Sequence, residues 1–411
     1  MQNYCFVRRG ILTWGLVAVA LSLVAIATLV PSSHGPGGGG VPFWCLTCGD
    51  YALADAVANV ALFLPLGWAL GHARVRPLIG LAALVTTTVT IELLQYTVVP
   101  GRDASLSDIL TNSVGGMIGI VLPRLHRRLA ASRGRALRAG ILYGVLLVAG
   151  LGVGEGAQAV LLPRRVRWTE GSTQGYVPFT GSLNALQVNG APVVMREWLN
   201  IPPRDSVEIT LDLLSARPDT GLAQLIVGWM PSGDGWIWLE QQGRDLRVHV
   251  ASASDRFRLR GHSTWLGAAM PAIGGEPVTI RLVVRRFSYW ISVATNTGKL
   301  VRREEVTPGR GWRLFTPLER KGEPWASLLT AGWMAVLLGP LGYLAYLRSR
   351  TTAVVAALGA GVSLLLLPLL SGCAGLPLAG WCGAMSGFLI GVAGSSASIG
   401  AVRPRRLAAR C

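Results

Sequence analysis

Lysine is nearly missing from this chain: Lys299 and Lys321 are the only two in 411 residues. Arginine carries the remaining positive charge, an imbalance we read as genomic base composition that excludes no function. The general shortage of charge excludes more. Only 14% of residues are charged and 51% are hydrophobic, and apolar runs of about twenty residues recur, which points to a polytopic membrane protein and away from a soluble globule. Histidines and cysteines number five and six, and their spacing fails the usual patterns. Gly49 stands where c-type haem attachment at Cys45 and Cys48 would need histidine, and no second ligand pair completes a zinc site. No run of Asp and Asn resembles a calcium loop. Neither a cofactor nor a metal is expected.

Eight runs have the length and apolarity to cross the hydrocarbon: 11–30, 54–71, 77–99, 107–123, 139–162, 325–347, 353–371 and 375–399. The first resembles a signal peptide in having Arg8 and Arg9 before its core, but no A-x-A site follows it closely, so a retained helix is expected. The net charge of +17 suits nucleic acid at first sight. Much of it, however, lies beside alternate helix ends: Arg8 and Arg9; Arg74 and Arg76; the group from Arg124 to Arg138; Arg348 and Arg350; Arg403, Arg405 and Arg406. With eight spans, all five segments fall on one side, which the positive-inside rule makes the cytoplasm. Both termini are then inside, and no nucleic-acid partner is needed.

The segment after the first run is rich in glycine and proline and is placed outside. Its Cys45 and Cys48 are either unremarkable or joined in a small disulfide. Cys373 and Cys382 read as packing residues of the last helix pair.

Residues 163–324 differ in kind. "VEITLDL" at 207, "WIWLEQ" at 236, "DLRVHV" at 245, "VTIRLVV" at 278 and "YWISVAT" at 289 alternate with period two between turn pieces such as "PSGDG". An all-β jelly-roll sandwich on the extracytoplasmic side is expected, similar in size and strand order to the concanavalin A-like (LamG-like) class, whose members often bind carbohydrate. Trp229, Trp236, Trp238, Trp265 and Trp290 are either sugar-stacking platforms or scaffold, and scaffold is the commoner fate. The expected domains are 1–138 (helices 1–4), 139–162 (helix 5), 163–324 (the sandwich) and 325–411 (helices 6–8).

One stretch breaks the apolar rule. "IELLQYTVVPGRDASLSDILTN", residues 91–112, holds Glu92, Gln95, Arg102, Asp103, Asp108 and Asn112. In helix 2, Asp55, Asn59, Phe63 and Gly67 are four apart and share a face; in helix 4, Asp108, Asn112 and Gly116 do the same. Glu92 lies seven residues below Val99, about 10 Å along the helix. These groups therefore converge on the outer half of the bilayer. A carboxylate in mid-helix costs on the order of 2.5–3.5 kcal/mol, so Glu92 must face the bundle, with Arg102 as the obvious counter-charge.

Asp55, Asn59, Phe63, Pro65 and Gly67, then Glu92 and Gln95, then Arg102, Asp108, Asn112, Gly115 and Gly119 match the VanZ-like family of bacterial membrane proteins in type, spacing and order. The resemblance covers roughly residues 10–125. It implies a cytoplasmic-membrane location and a setting of resistance to the glycopeptide teicoplanin, but no reaction. Several VanZ-like proteins carry an appended external jelly roll, similar to what residues 163–324 suggest.

An internal repeat is also visible. "PLGWALGHARVR" at 65 resembles "PLGYLAYLRSR" at 340, and "SVGGMIGIV" at 113 resembles "MSGFLIGVA" at 385. If helices 5–8 repeat helices 1–4, Ala384 stands in place of Asn112 and the second half has lost its polar set. Glu155 and Gln158 echo the spacing of Glu92 and Gln95, yet on the wrong helix.

Several functions fit the cluster formed by Asp55, Asn59, Glu92, Gln95, Arg102, Asp108 and Asn112. It serves as interhelical glue, or as an outer-leaflet pocket for the headgroup of a lipid or lipid-linked cell-wall precursor, with Arg102 on a phosphate. As an enzyme it would use Glu92 or Asp108 as general base, without an evident nucleophile. Transport would need polar residues through the full bilayer, which helices 2–4 lack. Alternatively, the helices anchor a sandwich that contacts envelope glycan.

Overall fold

The computed structural model describes residues 2–30, 43–47, 49–99, 104–171, 176–219, 221–316, 318 and 323–408. The helices are α1 (Gln2–Leu29), α2 (Ala52–His72), α3 (Pro77–Thr97), α4 (Leu106–Ala130), α5 (Arg133–Ala157), α6 (Glu323–Arg348), α7 (Arg350–Ser371) and α8 (Leu378–Ala408). Among the described residues, seven helices, α2 to α8, are long and apolar enough to cross a membrane, while the apolar part of α1, Thr13–Leu29, is shorter. The chain is a multi-pass membrane protein with a β region between α5 and α6. It divides into two compact units, Met1–Gly140 with Ser396–Cys411, and Ile141–Ser395.

Several helix ends differ from the expected spans: α1 begins at Gln2 rather than 11, α5 at Arg133 rather than 139, and α8 runs to Ala408 rather than 399. Helix α4 runs on through Pro123 to Ala130, because past the apolar stretch the Arg124 guanidinium bonds the Ile120 and Val75 carbonyls. Helix α5 stops at Ala157 rather than 162. Beyond it the backbone is drawn into the β region, where Val160 N–H donates to the Arg286 carbonyl and Leu161 N–H to Ala251.

In the first unit α2 and α4 touch backbone to backbone. A β-carbon at Gly115 would run into the Val60 carbonyl, one at Gly119 into that of Leu64, and one at Gly67 into that of Gly116. Such small-residue contacts let membrane helices gain dispersion energy where no hydrophobic force drives them together. Phe63, Leu66, Leu84, Ile91 and Ile120 fill the core, with Ala20 and Val24 of α1. The second unit has the same contacts at the aligned positions. Gly387 lies on the Ala335 backbone, Gly391 on Gly339 and Tyr343, and Gly342 on Phe388.

The β region holds β1 (Arg165–Glu170), β2 (Ser182–Val188), β3 (Ala191–Pro192), β4 (Trp198–Asn200), β5 (Ser206–Leu214), β6 (Leu222–Trp229), β7 (Gly235–Gln242), β8 (Asp245–Val250), β9 (His262–Leu266), β10 (Pro277–Arg285), β11 (Ser288–Thr295) and β12 (Gly298–Glu305). They form two six-stranded sheets, ordered β4-β1-β6-β7-β8-β9 and β12-β11-β10-β5-β2-β3, with every neighbouring pair antiparallel. All five alternating segments are strands. In β5 the alternation is complete: Val207, Ile209, Leu211 and Leu213 are buried. They join Trp168, Ile237, Leu239, Val248, Ile280, Leu282 and Ile291 in one core shared by both sheets. Each fully buried aliphatic side chain there contributes about 1.5–3 kcal/mol.

Of the five tryptophans one is fully buried and four are half-buried. Trp236 is fully buried and donates to the Leu161 carbonyl at 2.6 Å; Trp229 donates to Thr169 Oγ1 at 2.9 Å. Trp238 packs on His249, and the Trp265 and Trp290 rings are covered by the guanidinia of Arg247 and Arg281.

The β region is fastened to α5 and α6 by buried polar groups. His262 Nε2 is 2.6 Å from the Gln158 carbonyl, and Trp312 Nε1 donates to Thr330 Oγ1 at 3.2 Å. Burial holds the His262 imidazole well below the usual histidine range, at about 4. Glu304, 2% exposed, meets Arg302, Arg310 and Arg313 at 3.0, 2.7 and 3.0 Å. Burial alone would raise its pKa, but the three guanidinia outweigh that and hold it at about 2.

Candidate functional site

Helices α2, α3 and α4 supply the polar cluster, and each member is positioned by local chain geometry. Ser105 caps α4, its Oγ accepting from Asp108 N–H at 3.1 Å. The same residue's N–H donates to Glu92 Oε2 at 2.8 Å, so the α3 carboxylate fastens the start of α4. Glu92 is only 4% exposed and lies inside the bundle, away from the surrounding hydrocarbon. Gln95, one helical step along the same face, donates to the Thr28 carbonyl of α1 at 2.9 Å.

Between α2 and α4, Asn59 Nδ2 donates to Asp108 Oδ1 at 2.7 Å. One turn deeper, Asn112 Nδ2 donates to Thr88 Oγ1 at 2.8 Å, and both residues are buried. Asn112 Oδ1 is buried without a hydrogen-bond partner among the described residues. An unfilled acceptor in a water-poor interior is costly, and it marks a place where a donor is wanted.

Of the seven candidate residues, Asn59, Asp108 and Glu92 are thus joined through Ser105, while Gln95 bonds α1 and Asn112 bonds Thr88 of α3 in separate contacts. Asp55 stands one turn further out on α2 and is exposed. Asp55, Glu92 and Asp108 each have a further interaction besides these. Arg102, the expected counter-charge, and Asp103 lie outside the described residues. Thr88, Ser105 and the Thr28 carbonyl were missed. Thr88 was findable, because it precedes Glu92 by four residues on the same helix face, and so was Ser105 as a helix cap three residues before Asp108; the Ser105 N–H bond to Glu92 and the Thr28 carbonyl are backbone contacts, which no side-chain pattern reveals.

The cysteines also find their places. Cys45 is disulfide-bonded, while Cys48 lies outside the described residues. Cys382 is exposed rather than packed, because its position on α8 points away from the glycine seam that ends at Gly383. Cys373 is half-buried in the turn after α7.

The second unit has a different interior at the matching positions. Ala384 replaces Asn112 and Phe388 replaces Gly116. In the first unit Gly116 receives the Leu84 side chain of α3. In the second, Phe388 and Ala384 line an apolar groove of about 440 Å³ with Gly361 and Leu364 of α7. Glu155 and Gln158, near the end of α5, are 1% and 2% exposed; Gln158 Oε1 lacks a hydrogen-bond partner among the described residues.

Residues 18–127 match the family model described as VanZ/LLP1. The matched stretch runs from within α1 to near the end of α4, contains all seven candidate residues, and leaves out the β region and α5 to α8. A VanZ-like domain of a multi-pass membrane protein is therefore the class defined by this stretch. No curated protein and no solved structure matches the chain.

Proposed function

We propose that this chain is an eight-span protein of the bacterial cytoplasmic membrane, with both termini in the cytoplasm and the β region outside. In this reading its α2–α4 cluster binds the polar headgroup of a lipid or lipid-linked glycan in the outer leaflet. The observation that carries it is the buried Asn112 amide, whose Nδ2 is engaged by Thr88 while its Oδ1 has no donor among the described residues. A headgroup hydroxyl or amide supplies such a donor. Glu92 and Asp108 help hold the mouth of the pocket in shape through Ser105 and Asn59, and Arg102, in the adjoining loop, is the group to meet a phosphate.

The β region is read as a concanavalin A-like jelly roll, and α5–α8 as a degenerate repeat of α1–α4 that serves as scaffold. The resemblance to VanZ-like proteins adds a setting, glycopeptide resistance or envelope maintenance. The alternative of an enzyme using Glu92 or Asp108 as general base draws less support, because both carboxylates already accept bonds that position α4 and α2.

The test is mass spectrometry of lipids retained by the purified full-length protein and by Glu92→Gln, Asn112→Ala and Arg102→Ala. A lipid or polyprenol-linked species enriched on wild type and lost from variants of normal membrane abundance is the expected result. Unchanged retention, or disappearance of the variants from the membrane, would assign the cluster to packing alone.

A further inference from the structure

Within the second unit, a polar cavity of about 480 Å³ opens where the β region meets the turn after α7. That volume falls in the range of about 300–1,000 Å³ usual for small-ligand sites. Its walls carry four arginines, Arg204, Arg285, Arg286 and Arg303, against two carboxylates, Asp205 and Glu305. Strand pairing accounts for the concentration. Arg285 ends β10 and pairs with Ser206, the first residue of β5, so that Arg204 and Asp205 arrive just ahead of it. Arg286 and Phe287 form the two-residue turn into β11, and β12 brings Arg303 and Glu305.

The charges do not cancel. Arg303 Nη2 is 2.6 Å from Glu305 Oε1, which occupies one pair. Arg204, Arg285 and Arg286 make no ion pair with any described residue, leaving a net charge of +2 from four guanidinia and two carboxylates. Arg286 lies over the Phe287 ring, 5.2 Å from its centroid. The floor is the Gly372–Ala374 turn, whose N–H groups already donate to Pro368, Ser371 and Val306. Any anion bound here is therefore held by guanidinium groups. The Cys373 side chain interacts with both Arg286 and the Glu155 carboxylate, so one buried acid stands close to the floor.

Two neighbouring features indicate which anion fits. The floor directly follows α7, an apolar helix long enough to span a membrane, which puts the cavity at headgroup depth. Leu369 and Leu370, immediately before the turn, are 77% and 83% exposed, an apolar strip leading to the basic walls. We infer that this cavity binds the phosphate of an anionic membrane lipid whose acyl chains lie along the outer end of α7. Planar guanidinia suit phosphate oxygens through paired, charge-assisted hydrogen bonds. The site shares no residue with the α2–α4 cluster and does not rest on its proposed role.

The experiment uses full-length protein in detergent and native mass spectrometry with added phosphatidylglycerol, phosphatidylcholine or inorganic phosphate. Wild type should retain phosphatidylglycerol over phosphatidylcholine, and Arg285→Gln/Arg286→Gln should retain it about tenfold less for each guanidinium–phosphate bond removed. Arg285→Lys/Arg286→Lys should recover part of it, and Arg256→Gln/Arg258→Gln, exposed arginines outside the cavity, should behave as wild type. Equal retention by wild type and Arg285→Gln/Arg286→Gln overturns the inference, as does an equal loss in Arg256→Gln/Arg258→Gln. Displacement of the lipid by millimolar inorganic phosphate assigns the cavity to free phosphate and overturns the lipid. If Arg285→Gln/Arg286→Gln fails to fold, Arg204→Gln carries the same comparison.

Discussion

Helices α2 to α4 and helices α6 to α8 use the same glycine contacts for opposite ends. Gly119 on Leu64 and Gly391 on Gly339 bring two helix backbones together in the same way. Seven residues earlier on α4 and α8 the resemblance stops, with Asn112 bonded to Thr88 in one and Ala384 facing an apolar groove in the other. Close helix packing depends on small residues along one stripe, whereas a polar interior depends on side chains on the adjoining faces. The two can be gained or lost separately.

The comparison can be tested most severely at the seam. Gly119→Leu and Gly391→Leu force a side chain into facing backbone, and each should cost more than about 3 kcal/mol, the upper end of ordinary overpacking. Loss of both proteins from the membrane fraction is expected. A well-folded Gly391→Leu protein would show that the second seam is looser than the first.

Acid should loosen the second unit next. The buried His262 has a folded pKa of about 4 against an ordinary 6.5, so the folded form takes up its proton later than the unfolded chain. Its contribution is whole above pH 6.5 and is lost as pH falls from there to about 4, on the order of 2–3 kcal/mol. Glu304, held at about 2 instead of 4.5, adds a second loss between pH 4.5 and 2. Thermal unfolding followed by tryptophan fluorescence between pH 8 and 2 checks this, and His262→Gln should flatten the upper part of the profile.

Asn112→Leu removes the bond to Thr88, an interhelical hydrogen bond of a kind worth about 0.6 kcal/mol, at most about 1.7. A small fall in unfolding temperature with complete loss of the retained headgroup lipid would separate site from scaffold. The smallest effect is expected of Ala384→Asn, which places an amide in an apolar groove whose lining includes no threonine. Membrane abundance should drop slightly, and no lipid binding should appear.

Much of this was legible from the residues. Seven of the eight apolar runs became helices long and apolar enough to cross a membrane, while the first gave a shorter apolar stretch, and the five alternating segments became strands because period two lets one face of a strand meet a core. Glu92 was recognisable as inward-facing because hydrocarbon cannot solvate a carboxylate. Strands β3 and β4 were not named because they are short, and β6 and β12 because one is buried on both faces and the other exposed on both, so that alternation fades; β1, β2 and β9 alternate in burial and were missed all the same. The Ser105 bond to Glu92 and the Thr28 bond to Gln95 were hidden because they run through backbone groups, which have no residue signature.

The one-dimensional order of residues by itself determined that the chain lives in a membrane, where its polar side chains fall on α2, α3 and α4, and that a β region interrupts the helices. Solvent transfer energies and helical spacing act locally, so a string of letters suffices for them. Only the tertiary structure decided that Asn59 holds Asp108, that Glu92 holds the start of α4, that Asn112 Oδ1 has no donor among the described residues, and that four arginines from three separate stretches of the β region share one cavity. Those facts depend on which backbones approach and in what register, and distance in space is a property that sequence separation does not carry.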